Sequence, residues 1–441
     1  MKQMIRTKFY DHATATEAPI RGDINVIFFG NAKTGKSTAL GHLIYNSFSE
    51  DRKSQIEKEA LKYPNSNVYS YISSSSFEEV LKGKTIDLSY RLFKHNVMLI
   101  DSPGNHDYYK KTINGVFQSD AAVIFIDPMK LNYNQESQPD NHILELFNIA
   151  SSACIKQVIV AVNKMDDESV KYSEDRFNEV KQEISKVLGL IYFQFDQIAF
   201  IPISGLNGDN LTEKSSNMPW WYGPTLSEAI NNLQEPVRQI DSPLRFLVYQ
   251  IKEIGEKELK VSGRVEYGVI KKGQRIIIGS SKKQPTVEEI IYYDEQLTEA
   301  AAGKCIAIIL KIRPSKINVG DVIGDPNNDP PSQSQNFKVQ FKVYNDIGWC
   351  KPGYKPFIYC HGVRVQCEFV EFVQCTRKGS IMYKPRAIIK DDLAVVVIRP
   401  LLPLVVEDYK KFFKLGVFAL GDKSKTFARG EIIELTKKKS K

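Results

Sequence analysis

Up to about residue 240, short apolar runs alternate with longer stretches whose apolar residues recur every three or four positions. INVIFFG (24–30), NVMLID (96–101), AAVIFID (121–127), QVIVAVN (157–163) and IAFIPIS (198–204) have the length and near-continuous apolarity of strands buried on both faces. Between them, STALGHLIYNSF and DRFNEVKQEISKVLG carry helical spacing. This alternation predicts a mostly parallel sheet covered by helices on both faces. After residue 240 helical spacing nearly vanishes. LKVSGRVEYGVIKKGQRIIIG contains two β-rich runs bent at Gly268 and at the Lys272–Gly273 turn, and DPNNDPPSQSQ (325–335) reads as a linker. FKVQFKVYN (337–345) and RVQCEFVEFV (364–373) keep the β pattern beyond it, so two small β-barrels or sandwiches are expected after the α/β domain. No internal period of about 20–50 residues points to a solenoid.

Composition narrows the class without changing the architecture. The chain has 441 residues, 25% charged and 42% hydrophobic, which suits a globular protein of several domains and excludes a disordered or collagen-like one. The longest apolar runs, such as AAVIFI and LAVVVI (393–398), fall well short of the roughly 18–20 residues of a membrane span, so no membrane association is expected. Cys154, Cys305, Cys350, Cys360, Cys367 and Cys375 lie far apart with no CxxC pair, which reads as reduced thiols and not zinc ligands. The start, MKQMIRTKFYDHATATE, has no apolar leader core, and a cytoplasmic protein is expected. A net charge of +8 permits a polyanionic partner without requiring one.

The candidate chemistry lies at the ends of the predicted strands. Gly30, Asn31, Ala32, Lys33, Thr34, Gly35, Lys36 and Ser37 form a GxxxxGKS loop between an apolar strand and a helix that begins near Thr38. Glycines let the backbone wrap a phosphate chain, and successive N–H groups with a helix N-terminus donate to its oxygens. Lys36 would reach the β- and γ-phosphates, and Ser37 would offer a hydroxyl to Mg²⁺. Asp101, ending NVMLI, opens a DSPG turn; its carboxylate suits a metal and the N–H of Gly104 a γ-phosphate. Asn163, Lys164 and Asp166 follow QVIVAV. The Asp166 carboxylate can accept from both the ring N–H and the exocyclic amine of guanine, while adenine would leave it unpaired. Ser204, Gly205 and Leu206 would close the base pocket. Thr85, just beyond the long stretch 38–84 and ahead of the DLSYRLF strand, is the candidate γ-phosphate and metal sensor, a role that calls for a threonine on a mobile loop.

Together these motifs resemble the translational GTPases, most closely the elongation factor 1-alpha family. The likeness runs through AVNKMD, IPISGLNGDNL, SSNMPWWYGPTLSEAI, GRVEYGVIKKGQ, NDPPSQSQNF and GYKPFIYCHGVRVQCEF, in order and across nearly the whole chain. The resemblance implies a Ras-like GTP-binding domain at 20–236 after an extension at 1–19, all-β barrel domains at 241–327 and 335–436, and a basic tail at 437–441. It also implies GTP/GDP and Mg²⁺ as cofactors. The implied partners are aminoacyl-tRNA, the ribosome and a guanine-nucleotide exchange factor, with a cytoskeletal contact as a further class. GTP-dependent delivery of aminoacyl-tRNA is the implied activity. A ribosome-rescue or termination GTPase, or a paralogue using GTP for structure or cytoskeletal binding, is the alternative.

Departures from the family pattern bear on that activity. The family has a water-positioning histidine directly after its aspartate-x-proline-glycine turn; this chain has Asn105 there, with His106 next. Either His106 substitutes or hydrolysis is slow, and slow hydrolysis is the expectation, because Asn lacks a protonatable ring. Lys33 and Thr34 replace the family's usual Asp and His. Glu79-Val80-Leu81-Lys82-Gly83 replaces an Arg-rich approach to the sensing threonine, and Tyr293-Asp294 replace a His-His pair. His361 is expected to be a core or hydrogen-bonded histidine, and Trp220-Trp221-Tyr222 to pack at a domain interface. Cys360 and Cys367, seven positions apart, are expected on opposite faces of one continuous strand.

Overall fold

The computed structural model describes residues 24–64, 67–94, 96–130, 141–189, 191, 195–255, 258–292, 295–331, 333–422 and 425–436. The N-terminal extension, the basic tail, Tyr293 and Asp294 lie outside the described residues, as does the side chain of His106.

Six strands form the first body: β1 (Ile24–Gly30), β2 (Ser89–Phe93), β3 (Val97–Asp101), β4 (Ala121–Ile126), β5 (Gln157–Val162) and β6 (Gln197–Pro202), in the order β2-β3-β1-β4-β5-β6. β2 runs antiparallel to β3 and the rest are parallel. Because side chains alternate along a strand, Ile27 and Phe29 of β1 face one layer while Val26 and Phe28 face the other. The first layer holds α5 (Tyr109–Phe117), α6 (Asn141–Ser152) and α7 (Glu174–Gly189); the second holds α1 (Lys36–Tyr45), α2 (Glu50–Ala60), α3 (Val68–Ser73) and α8 (Leu226–Asn231). Burial on both faces is why these strands read as unbroken apolar runs.

The stretch 38–84 continues α1, where helical spacing was expected, and then folds into α2, α3 and α4 (Phe77–Lys82) ahead of Thr85. Ile56, Ala60, Ile72 and Val80 are buried, and that apolar area ties the helices down. Gly41 makes the α1–α3 contact feasible: a Cβ there would stand 1.9 Å from the Tyr69 carbonyl oxygen. His42 stacks on the Tyr69 ring at 3.9 Å.

The second body is a seven-stranded antiparallel sheet built from strands 245–255, 258–267, 277–278, 287–292, 295–297, 305–310 and 322–324, with a two-stranded ribbon of 269–271 and 299–301. Among the described residues its ladder does not close. In the third body the strands 357–360, 417–421, 426–436, 336–343, 393–400 and 363–377 pair in succession, and the last pairs back to the first. The expectation of two barrels is therefore met as a closed ring in the C-terminal body alone. The linker is pinned: Asp329 pairs with buried Arg245 at 2.9 Å, and Arg245 also pairs with Glu407.

Buried charge joins the three bodies. Asp120, just ahead of β4, pairs with Arg264 of the second body at 2.5 Å, with Arg238 at 3.0 Å and with Lys414 of the third body. Arg264 also donates to the Gln118 carbonyl at 3.0 Å. These contacts lie at the amino ends of the parallel strands, opposite the phosphate-loop end. Glu145 of α6 accepts from the Thr426 N–H at 2.9 Å, its hydroxyl at 2.7 Å and the Tyr109 hydroxyl, tying α5 and α6 to the third body.

Two local expectations are corrected, and that for His361 is met as a core residue without hydrogen bonds. Cys360 and Cys367 do not share a continuous strand: the chain reverses at His361 and Gly362, both at positive φ, and the two thiols lie in one core. His361 is buried, yet neither ring nitrogen has a hydrogen-bond partner, and burial lowers its pKa to about 4. Trp220 and Trp221 pack on Phe177 of α7 inside the first body, not between bodies.

Candidate functional site

The loop between β1 and α1 curls because Gly30, Lys33 and Gly35 take φ of 150°, 64° and 86°. Lys36 donates to the carbonyls of Gly30 at 3.0 Å and Asn31 at 2.8 Å, and the Thr34 hydroxyl donates to the Asn31 carbonyl at 2.9 Å. Burial lowers the Lys36 pKa from its usual value to about 8, with Asp101 opposing the shift. An arriving polyanion would restore the charge that burial disfavours. Lys33 and Ala32 are exposed on the outer rim, where the Ala32 carbonyl accepts from Lys130; the Thr38 hydroxyl accepts from Asn67 at 3.3 Å.

Asp101 ends β3 beside this loop. Both its oxygens are buried without a hydrogen-bond partner, and burial first of all raises its pKa to about 6, against the Ser37 hydroxyl and the Lys36 ammonium. The Ser37 and Thr85 hydroxyls meet at 2.8 Å. An orphaned carboxylate with two hydroxyls is the hard-oxygen set that suits Mg²⁺. Among the described residues no group of three or more His, Cys, Asp or Glu is placed to hold a metal.

The DSPG turn is braced by Ser102 donating to the Phe28 carbonyl at 2.9 Å and Thr112 to the Pro103 carbonyl at 2.6 Å. Gly104 lies against the phosphate loop, where a Cβ would stand 2.5 Å from Lys36 Nζ and 2.8 Å from the Asn31 carbonyl. Asn105 folds into a local turn: its amide donates to the Asp107 carboxylate at 3.0 Å, its side-chain oxygen accepts from the Asp107 N–H at 3.3 Å, and its carbonyl accepts from Tyr108.

Asn163, after β5, joins two loops. It donates to the Thr34 carbonyl at 2.7 Å and accepts from the Gly205 N–H at 2.8 Å. Lys164, at φ 66°, bonds the buried carboxylate of Asp127 at 2.8 Å. Ser204 is buried and accepts from the Asn207 N–H at 3.0 Å, Asp166 is half-buried, and Leu206 is exposed. His42 bonds the Gly205 carbonyl at 3.1 Å, linking this loop to α1 and α3. The structure thus gathers Gly30–Thr38, Thr85, Asp101, Gly104, Asn163, Lys164 and Ser204–Leu206 at the carboxyl ends of the parallel strands, where open α/β sheets bind ligands. Asp127 and His42 escaped the sequence reading; Asp127, the last residue of a strand-like run, carried a visible signal and His42 did not.

A parallel sheet that presents a GxxxxGKS loop, a DxPG turn and an NKxD loop clipped together defines a phosphate-loop GTPase. The Elongation factor Tu GTP binding domain family matches residues 22–293, and the GTP-eEF1A C-terminal domain-like family matches 336–433. Elongation factor 1-alpha of Tetrahymena pyriformis is 34% identical over 95% of this chain and 99% of its own length. That of Plasmodium falciparum is 34% identical over 94% and 96%. The chain belongs to the elongation factor 1-alpha family of translational GTPases. Among solved structures, the Saccharomyces cerevisiae Ski7 GTPase-like domain bound to GTP shares the fold with a TM-score of 0.75 at 21% identity, covering 93% of this chain and 97% of that one. Translation elongation factor SelB of Methanococcus maripaludis, in complex with a GTP analogue, follows at 0.67 and 17% identity, covering 94% and 80%. Among the described residues no helix is long and apolar enough to cross a membrane.

Proposed function

We propose that this GTPase works in the manner of a ribosome-rescue or termination factor, holding GTP as a state that a partner of tRNA-like shape recognises. The carrying observation is Asn105, whose side chain is engaged in its own turn by Asp107 at the position where the family has its water-positioning histidine. Lys36, Thr34 and Gly35 hold the phosphates; Ser37, Thr85 and Asp101 hold Mg²⁺, which would neutralise phosphate charge; Asp166 selects guanine; Ser204, Gly205 and Leu206 close the base pocket. The bodies correspond to domains at 20–236, 241–327 and 335–436. Delivery of aminoacyl-tRNA is the second reading, favoured by 34% identity to full-length elongation factors 1-alpha.

Single-turnover GTP hydrolysis, with and without programmed ribosomes and aminoacyl-tRNA, separates the two. The wild-type chain is expected to show little stimulation, and Asn105→His to raise the ribosome-dependent rate by about a hundredfold or more. Strong stimulation of the wild type by ribosomes and charged tRNA would establish delivery instead. Asp166→Asn is expected to weaken GTP binding by about a hundredfold while improving binding of the xanthine nucleotide, whose 2-oxo group accepts from the new amide. Equal affinities for GTP and ATP in the wild type would remove the guanine assignment.

A further inference from the structure

The sensing hydroxyl of Thr85 lies 2.8 Å from that of Ser37, and the chain on either side of Thr85 is tied down. Ser76 and Glu79 form a capping box at the start of α4, which by itself needs one bond from the glutamate. Glu79 does more. It is 1% exposed, and its two oxygens are divided between the two ends of the segment. Oε2 accepts from the Ser75 N–H at 2.5 Å, the Ser75 hydroxyl at 2.8 Å and the Ser76 N–H at 3.3 Å. Oε1 accepts from the N–H groups of Ile86 at 2.7 Å and Asp87 at 2.9 Å, the two residues directly after Thr85.

The chain returns within reach of Oε1 because Gly83, at φ 59°, ends α4 in the left-handed region, and the Lys84 N–H then bonds the Glu79 carbonyl at 3.2 Å. Arg91 fastens the entry by donating to the carbonyls of Ile72, Ser73 and Ser74, and the Ser89 hydroxyl donates to that of Ser73.

We infer that Glu79 is a positioning residue for the nucleotide switch: its carboxylate clasps residues 75–76 to 86–87 and so presets Thr85 against Ser37 before nucleotide and metal arrive. The inference rests on the nucleotide reading above. It adds that the sensing end of the switch is held by the protein itself, so less ordering remains for GTP and Mg²⁺ to impose.

Two measurements test this on the full chain. Amide exchange in nucleotide-free protein is expected to quicken by about tenfold or more at Ile86 and Asp87 in Glu79→Ala, since two charge-assisted bonds are lost. Glu79→Gln, which keeps one acceptor oxygen, is expected to recover part of that protection. Titration of Mg²⁺ against a fluorescent GTP analogue is expected to need about tenfold more metal in Glu79→Ala. Binding of the matching GDP analogue in chelator should stay within about twofold. Unchanged exchange at Ile86 and Asp87 overturns the clasp. A parallel loss of GDP binding in chelator overturns the positioning role and leaves Glu79 as a support of the fold. Wild-type protein that binds neither nucleotide overturns the functional reading, and the exchange experiment, read without nucleotide, distinguishes that failure. If Glu79→Ala does not fold, Glu79→Gln decides the matter: wild-type exchange and metal demand would overturn the inference.

Discussion

An Asp120→Asn chain is expected to lose about 3–5 kcal/mol of stability at neutral pH, measured by denaturant unfolding. The side chains of Asp120 and Arg264 are fully buried, and those of Arg238 and Lys414 are nearly so. Removing the Asp120 carboxylate leaves three cations at the junction, with Glu266 still 3.9 Å from Arg264. Burial alone would raise the Asp120 pKa, but Arg264, Lys414 and Arg238 hold it well below the usual carboxylate value. A depressed folded-state pKa means the stabilisation is complete above the unfolded value of about 3.9 and fades as pH falls through the folded one. The difference between wild type and Asp120→Asn should therefore be constant at neutral pH and shrink in strong acid. A loss under about 1 kcal/mol would mean that the bodies are held by apolar contact and the charges add nothing.

Asn163→Ala is expected to speed nucleotide dissociation by about a hundredfold, read by stopped-flow release of a labelled GDP. Asn163 is buried, and its amide is the clip between the Thr34 carbonyl of the phosphate loop and the Gly205 N–H of the base-side loop. Alanine would strand both groups, at about 1–3 kcal/mol each. The clip depends on Gly35, where a Cβ would stand 2.3 Å from the Asn163 side-chain nitrogen. Unaltered release would show that the loops hold their places through backbone contacts alone.

What could be read from the sequence divides along physical lines. The strands of the first body were legible because helices on both faces force unbroken apolar runs, and the nucleotide motifs were legible because phosphate wrapping demands particular residues at fixed spacing. Helices α2 to α4 were not, since α2 is mostly polar and the place of α3 depends on an approach at Gly41 that only the neighbouring helix reveals. Ser76-x-x-Glu79 is a readable capping box, but its second role waits on Gly83 reversing the chain. Asp120 looks ordinary; its partners lie 118, 144 and 294 residues away, beyond any local pattern. The Cys360–Cys367 prediction failed because β alternation continues across a tight turn, so a hairpin read as one strand.

The placement of the tryptophans has an optical consequence. Of the three in the chain, Trp349 is 75% exposed on the third body, while Trp220 and Trp221 are half-buried against Phe177. Trp220 donates to the Tyr172 carbonyl at 2.9 Å, and the Tyr172 hydroxyl bonds Asp209 at 3.1 Å and Asn207 at 3.3 Å, both in the loop that follows Ser204. The first body therefore carries a pair of native fluorophores, one of them, Trp220, two hydrogen bonds from its base-side loop. The lone exposed indole contributes a red-shifted, readily quenched background, so the blue part of the emission follows that loop without any attached label.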